Sequence, residues 1–131
     1  MLTTYDQQDD NREDEVNARI TRKLCRLGMP TNIRGFEYLL TAVRLVYENP
    51  LLSEYITKDL YRRVARRSHA APSTVIHAID HIIVMLFGVG NIEQLQALFG
   101  CDGQRPTSAR FIALIAESLR DDNKKEAAAK Q

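Results

Sequence analysis

The chain is short of several things that would place it outside ordinary globular chemistry. Its two cysteines, Cys25 and Cys101, stand far apart and make no disulfide framework, so each is read as a small buried hydrophobe. No apolar run approaches the ~20 residues that span a bilayer. The opening stretch, MLTTYDQQDDNRED, is acidic where a signal peptide is basic and then apolar. A cytoplasmic protein without a membrane partner is expected. No strand alternation and no internal repeat is visible. No Ser-His-Asp ordering, paired-carboxylate motif or phosphate loop occurs, so no enzyme is expected. Gly88-Val89-Gly90 lacks the preceding strand of a dinucleotide site and reads as helix punctuation. His77 and His81 are four apart on one helix face, but only Asp80 or His69 stands near enough in sequence to join them. Neither a metal nor another cofactor is expected.

What is present is a pattern of charge and of helical period. A chain of 131 residues with 44% hydrophobic and 27% charged residues is enough for one domain with a real core. The net charge of +1 does not by itself call for a polyanionic partner, but its distribution is uneven. Residues 6–15 are acidic, Arg19 to Arg26 are basic, basic charge returns from Lys58 to Arg67, and no Lys or Arg follows before Arg105.

Taken in order, residues 1–9 read as a disordered acidic arm, 10–120 as one all-α domain, and 121–131 as a polar tail that frays. The first helix runs from about Asp10 to Leu27, with Val16, Ile20, Leu24 and Leu27 inward and Gly28 and Pro30 ending it. Its stripe of Arg19, Arg22, Lys23 and Arg26 reads most simply as a solvated face with Glu15–Arg19 pairing. A second helix spans Asn32 to Glu48, with Phe36, Leu39, Leu40, Val43 and Val46 inward; Leu51 and Leu52 are then expected to plug the core. Near the end, Asn91 with Gln94 resembles a capping box for a short helix to Leu98, and Asp102-Gly103 marks a loop. Thr107 or Ser108 caps a last helix that packs through Phe111, Ile112, Ile115 and Leu119.

The centre of the chain, Ile56 to Asn91, reads as two helices around a tight turn, the layout of a helix-turn-helix. Thr57 can cap the first, whose inward residues are Ile56, Leu60, Tyr61 and Val64. Pro72 fits the first position of the second, whose inward stripe is Val75, Ile79, Ile82 and Leu86. Lys58, Arg62, Arg63, Arg66 and Arg67 would neutralise phosphates if the first helix crosses a DNA backbone; their plainer role is solubility. A presumed recognition helix without Lys or Arg is unusual for a DNA reader.

Gly28-Met29-Pro30, Ile33-Arg34-Gly35-Phe36, Ile56-Thr57-Lys58, Leu60-Tyr61, Gly90-Asn91-Ile92, Leu98-Phe99-Gly100, Pro106-Thr107 and Phe111-Ile112-Ala113 follow one another in an order that identifies a family. From about Ile20 to Arg120 the chain resembles the C-terminal effector domains of the stage-zero sporulation A response regulators. The resemblance implies a six-helix, all-α bundle containing a helix-turn-helix, a double-stranded DNA partner and a role in transcription. It also implies that control by phosphorylation would come through a partner, since the chain has no room for a receiver domain.

The reading helix departs from that family. Three of its arginines are replaced by Thr74, His77 and Asp80 and a glutamate by Ile76, while further along a glutamate and an arginine have become Val84 and Val89. An arginine's grip on guanine is worth ~1–3 kcal/mol per base pair, and Asp80 would repel a phosphate. The expected DNA-facing residues are therefore the basic five with Ser73, Thr74, His77 and His81, on a changed target sequence. The apolar trio Ile76, Val84 and Phe87 marks an association surface, for a homodimer or a related regulator. The alternatives are that the trio packs on a terminal helix, or that the chain keeps the fold as a protein-interaction module without DNA binding.

Overall fold

The computed structural model describes the backbone of residues 3–53, 58–100 and 105–129, and the side chains of 13–52, 59–100 and 105–125. Six α-helices and no strand occur among the described residues: α1 (Thr3–Arg26), α2 (Arg34–Glu48), α3 (Lys58–Ser68), α4 (Pro72–Val89), α5 (Ile92–Phe99) and α6 (Ser108–Ala129), with a 3-10 turn at Pro50–Ser53. The fold is all-α. Helix α2 is its hub, touching α1, α3, α4 and α6. Its sequence explains the position: Phe36, Tyr38, Leu39, Ala42, Val43, Leu45 and Val46 are all buried, more than one stripe can hold, so a helix this apolar belongs inside.

Two glycine contacts set where α4 lies. A Cβ on Gly35 would stand 2.4 Å from the carbonyl oxygen of Ala78, so only glycine lets the start of α2 press against the middle of α4. At the far end of α4, Gly28 adopts φ +90° and closes α1 in a Schellman turn: Met29 N–H donates to Leu24 O at 3.1 Å and Gly28 N–H to Cys25 O at 3.0 Å. Leu24 and Met29, the two ends of that turn, are both buried. Gly28 then lies on Gly90, where a Cβ would come 2.9 Å from its Cα, and Asn91 N–H donates to Leu27 O at 2.8 Å. The end of α1 is thus clipped to the α4–α5 junction.

The capping box at Asn91 forms by half. The Asn91 side chain accepts from Gln94 N–H at 3.3 Å, while Leu27, not Gln94, takes the Asn91 N–H. Helix α6 lies on α2 through buried Phe111, Ile112, Ile115 and Leu119, and the Arg120 guanidinium donates to the carbonyls of Val46 and Tyr47, the unsatisfied end of α2.

Several expectations need correction. Helix α1 begins at Thr3, not Asp10, so residues 3–9 are helical rather than a disordered arm. No Gly or Pro interrupts them, and Asp6, Asp9 and Asp10 suit the positive end of the helix dipole. Helix α6 continues to Ala129, with Asp122 paired to Lys23 and Asn123 accepting from Arg19 at 3.4 Å, so polar contacts to α1 replace the missing apolar ones. Glu15–Arg19 pairing does not form. Leu51 is 68% exposed and only Leu52 packs on the core, because successive residues of a 3-10 turn point about a third of a turn apart. Cys25 is exposed, since it falls on the side of α1 away from Ile20 and Leu24. Ile56, the Thr57 cap, Cys101, the Asp102-Gly103 loop and the Lys58 side chain lie outside the described residues.

Helix α4 is, among the described helices, the one long and apolar enough to cross a membrane, with mean hydropathy 1.5 over Pro72–Val89. Part of its apolarity serves the core: Val75, Ile79, Ile82, Ile83 and Leu86 are all buried, as are Leu60 and Val64 of the packed α3, while Val84 and Val89 are exposed.

Candidate nucleic-acid interface

The surface begins with α3. With Leu60, Val64 and Ala65 turned inward, helical period puts Arg62, Arg63, Arg66 and Arg67 in solvent. Asp59 in the first turn and Arg66 and Arg67 in the last match the helix dipole. The three-residue connection 69–71 turns on His69, which sits at φ +54°, a left-handed conformation that His tolerates better than most residues. Ala70 N–H donates back to Ala65 O at 2.9 Å and its methyl packs on the core, which fixes the exit angle of the chain. Ala71 offers no side-chain cap, and Pro72 needs none for its own nitrogen.

Helix α4 then presents Ser73, Thr74, His77, Asp80 and His81 to solvent, with Val84 45% exposed in line. The arginines of α3 and the expected polar readers of α4 therefore lie on the exposed faces of two consecutive packed helices. No group of three His, Cys, Asp or Glu residues able to hold a metal occurs among the described residues.

The electrostatics of the two helices differ. Arg62, Arg63 and Arg66 have no carboxylate within ion-pair distance among the described residues. Arg67 Nη1 stands 3.9 Å from Glu13 Oε1 of α1. The same carboxylate is 2.8 Å from Nη1 of Arg44, which is only 6% exposed. That pairing is ionic rather than a well-aligned hydrogen bond, and Arg44 Nε and Nη1 find no hydrogen-bond acceptor among the described residues. A buried guanidinium needs its counter-charge, so Glu13 is held chiefly by Arg44 and lends Arg67 little.

Asp80 is exposed and tied to the neighbouring helix. Its carboxylate accepts from the Ser108 hydroxyl in the first turn of α6. Thr107 caps the same turn, its Oγ1 accepting from Arg110 N–H at 3.2 Å. The positive end of the α6 dipole offsets the Asp80 charge. Burial, and secondarily Asp80, push the Tyr61 phenol of α3 above its ordinary pKa.

The apolar trio divides. Phe87 is half-buried, its ring 5.7 Å from Phe99 and 6.5 Å from Phe111, which stack on each other at 5.0 Å. Its ring belongs to an aromatic cluster over α6, so for Phe87 the alternative of packing on a terminal helix holds rather than a free surface; on the helical wheel it adjoins Ile83 and Leu86. Ile76 is half-buried. Val84 alone is well exposed, bordering a cavity of about 320 Å³ with Asp80, Ile83, Arg105, Pro106, Thr107 and Ser108.

Sequence reasoning missed Arg44, Gly35 and the Asp80–Ser108 bond. Arg44 did carry a signal, as an arginine between Val43 and Leu45 in an apolar run. The other two depend on which helices meet, which no local pattern states. Compared with known proteins, residues 20–119 match the family model described as sporulation initiation factor Spo0A C terminal.

Proposed function

The chain belongs to the family of the sporulation initiation factor Spo0A C-terminal domain, a family of DNA-binding effector domains rather than of enzymes, and from that premise we propose a transcriptional regulator with an altered reading helix. Helix α4 enters the major groove, and α3 lies across the phosphate backbone as the first helix of a helix-turn-helix does. Arg62, Arg63, Arg66 and Arg67, with Lys58, carry affinity; Ser73, Thr74, His77 and His81 meet base edges and nearby phosphates. The observation that carries this reading is the exposure of four arginines on α3 beside an exposed polar stripe on α4. Without arginine on α4, the bidentate grip on guanine is absent, and the target differs from that of arginine-bearing relatives. Such a protein works where the chromosome is, in the cytoplasm.

A second reading rests on Val84, exposed beside a cavity on the same helix. It makes the domain a protein-interaction module, for a second copy or a related regulator, that keeps this fold without DNA. Two variants separate the readings. His77→Ala should lower duplex affinity by ~1 kcal/mol, the cost of one lost contact, while Val84→Asp leaves sedimentation unchanged. If His77→Ala has no effect and Val84→Asp dissolves a complex, the interaction module replaces the regulator.

A further inference from the structure

The basic stripe of α1 is not a plain solvated face. Arg19, Arg22, Lys23 and Arg26 line an open cavity of about 100 Å³ whose other wall is Leu119 and Asp122 of α6. No residue of α3 or α4 contributes, so the site is separate from the surface described above. Lys23 is neutralised by Asp122, an ion pair that holds the two walls together. The three arginines have no carboxylate partner among the described residues. Arg19 Nη1 donates to Asn123 Oδ1 at 3.4 Å, and Arg22 Nε to Ala18 O of its own helix at 3.4 Å. Like charges three and four residues apart on a helix repel, and Glu15, spaced to relieve Arg19, stays unpaired with it. An anion in the cavity would remove that repulsion. The depression is open to solvent and continues past Lys23, Arg26 and Asp122 along α6, so a phosphate group held between the arginines leaves room for the rest of its ester outside. Guanidinium forks suit phosphate oxygens, which accept two parallel N–H bonds from one arginine, whereas lysine offers only a point charge.

We propose that the α1–α6 seam is a phosphate site independent of the α3–α4 surface, in which Arg19, Arg22 and Arg26 hold one phosphate group of a phosphate ester. The Lys23–Asp122 pair positions the wall. The ester is either a free nucleotide or a nucleic-acid backbone, and both present the same group.

The test uses the full chain. Inorganic phosphate is titrated against chloride at equal ionic strength while the arginine Nε–Hε resonances are followed by NMR. Saturable shifts at Arg19, Arg22 and Arg26, absent in chloride, are expected. Arg22→Gln/Arg26→Gln should weaken phosphate by about tenfold or more, and Arg22→Lys/Arg26→Lys, which keeps charge without the fork, should fall between. Thermal melts of the lysine variant should match the parent, and those of the glutamine variant should match or slightly exceed it, since Arg22 and Arg26 are exposed and two repelling charges are gone. ATP binding tighter than inorganic phosphate, and lost in the glutamine variant, assigns the free nucleotide. Extra affinity of a duplex of about 40 bp over one of about 15 bp, lost in the same variant, assigns the backbone. Shifts that do not saturate, or that chloride reproduces, overturn the site. So does polyglutamate displacing phosphate at lower concentration than ATP or DNA, which would make the seam an acidic-peptide surface.

Discussion

The outward faces of α3 and α4 are neighbours in the chain and opposite in make-up. Helix α3 shows four arginines; α4 shows serine, threonine, two histidines, an aspartate bound to α6 and two valines. Their inward faces are alike, both apolar and fully buried. Packing therefore constrains the inner halves of the pair while leaving the outer halves free to differ. On DNA, contacts to phosphate position a protein and contacts to bases specify the sequence. Under the proposed reading the difference between the faces would separate the two jobs, with affinity resting on α3 and whatever preference exists resting on α4.

The largest expected effect lies on the shared inner side. Ile79→Ala should cost ~2–5 kcal/mol in denaturant unfolding, against less than ~0.5 for His77→Ala about half a turn away on the opposite face. Comparable costs at the two positions would mean that the inner and outer faces of α4 are misassigned. Next comes the approach of α2 to α4. Gly35→Ala puts a methyl against the Ala78 carbonyl and should cost ~1–3 kcal/mol by the same measurement, with α4 amide shifts moving around Ala78. A neutral substitution would show that the two helices can part without loss.

The smallest effect sharpens the contact between the two helices. The Tyr61 phenol is held neutral in the fold by burial and by Asp80, so the unfolded chain releases that proton near the ordinary value of ~10 and the folded one later. Above the unfolded value the folded state binds more protons, and stability falls as pH rises toward the folded pKa. Tyr61→Phe should remove that part of the alkaline slope, and Asp80→Asn a fraction of it. Urea unfolding from about pH 9 to 11 measures both; equal slopes in parent and Tyr61→Phe would place the loss elsewhere.

Helical period made the inward residues legible, since Ile20, Leu24, Phe36, Val43, Ile79 and Phe111 each lie on a stripe that a single sequence displays. Exposure of the α3 arginines followed from the same stripes. What escaped was pairwise. Phe87 looked like surface because α5 and α6, which supply Phe99 and Phe111, could not be placed beside it. The bond from Ser108 to Asp80 was hidden because nothing near Asp80 in sequence announces its partner. The extra turns of α6 were hidden because they are held to α1 by an ion pair and a hydrogen bond, which leave no apolar period, and those of α1 show no apolar period in the sequence either.

The salt dependence of duplex affinity, measured for the parent and for Arg66→Ala/Arg67→Ala, tests the division between the two faces most directly. The parent should lose affinity with a log–log slope of about −0.9 per neutralised phosphate. The double variant should weaken on every sequence alike, with a slope flatter by up to ~1.8, while its preference among sequences stays that of the parent. An unchanged slope and affinity in the double variant would contradict the account, leaving the arginines of α3 as solvated charge.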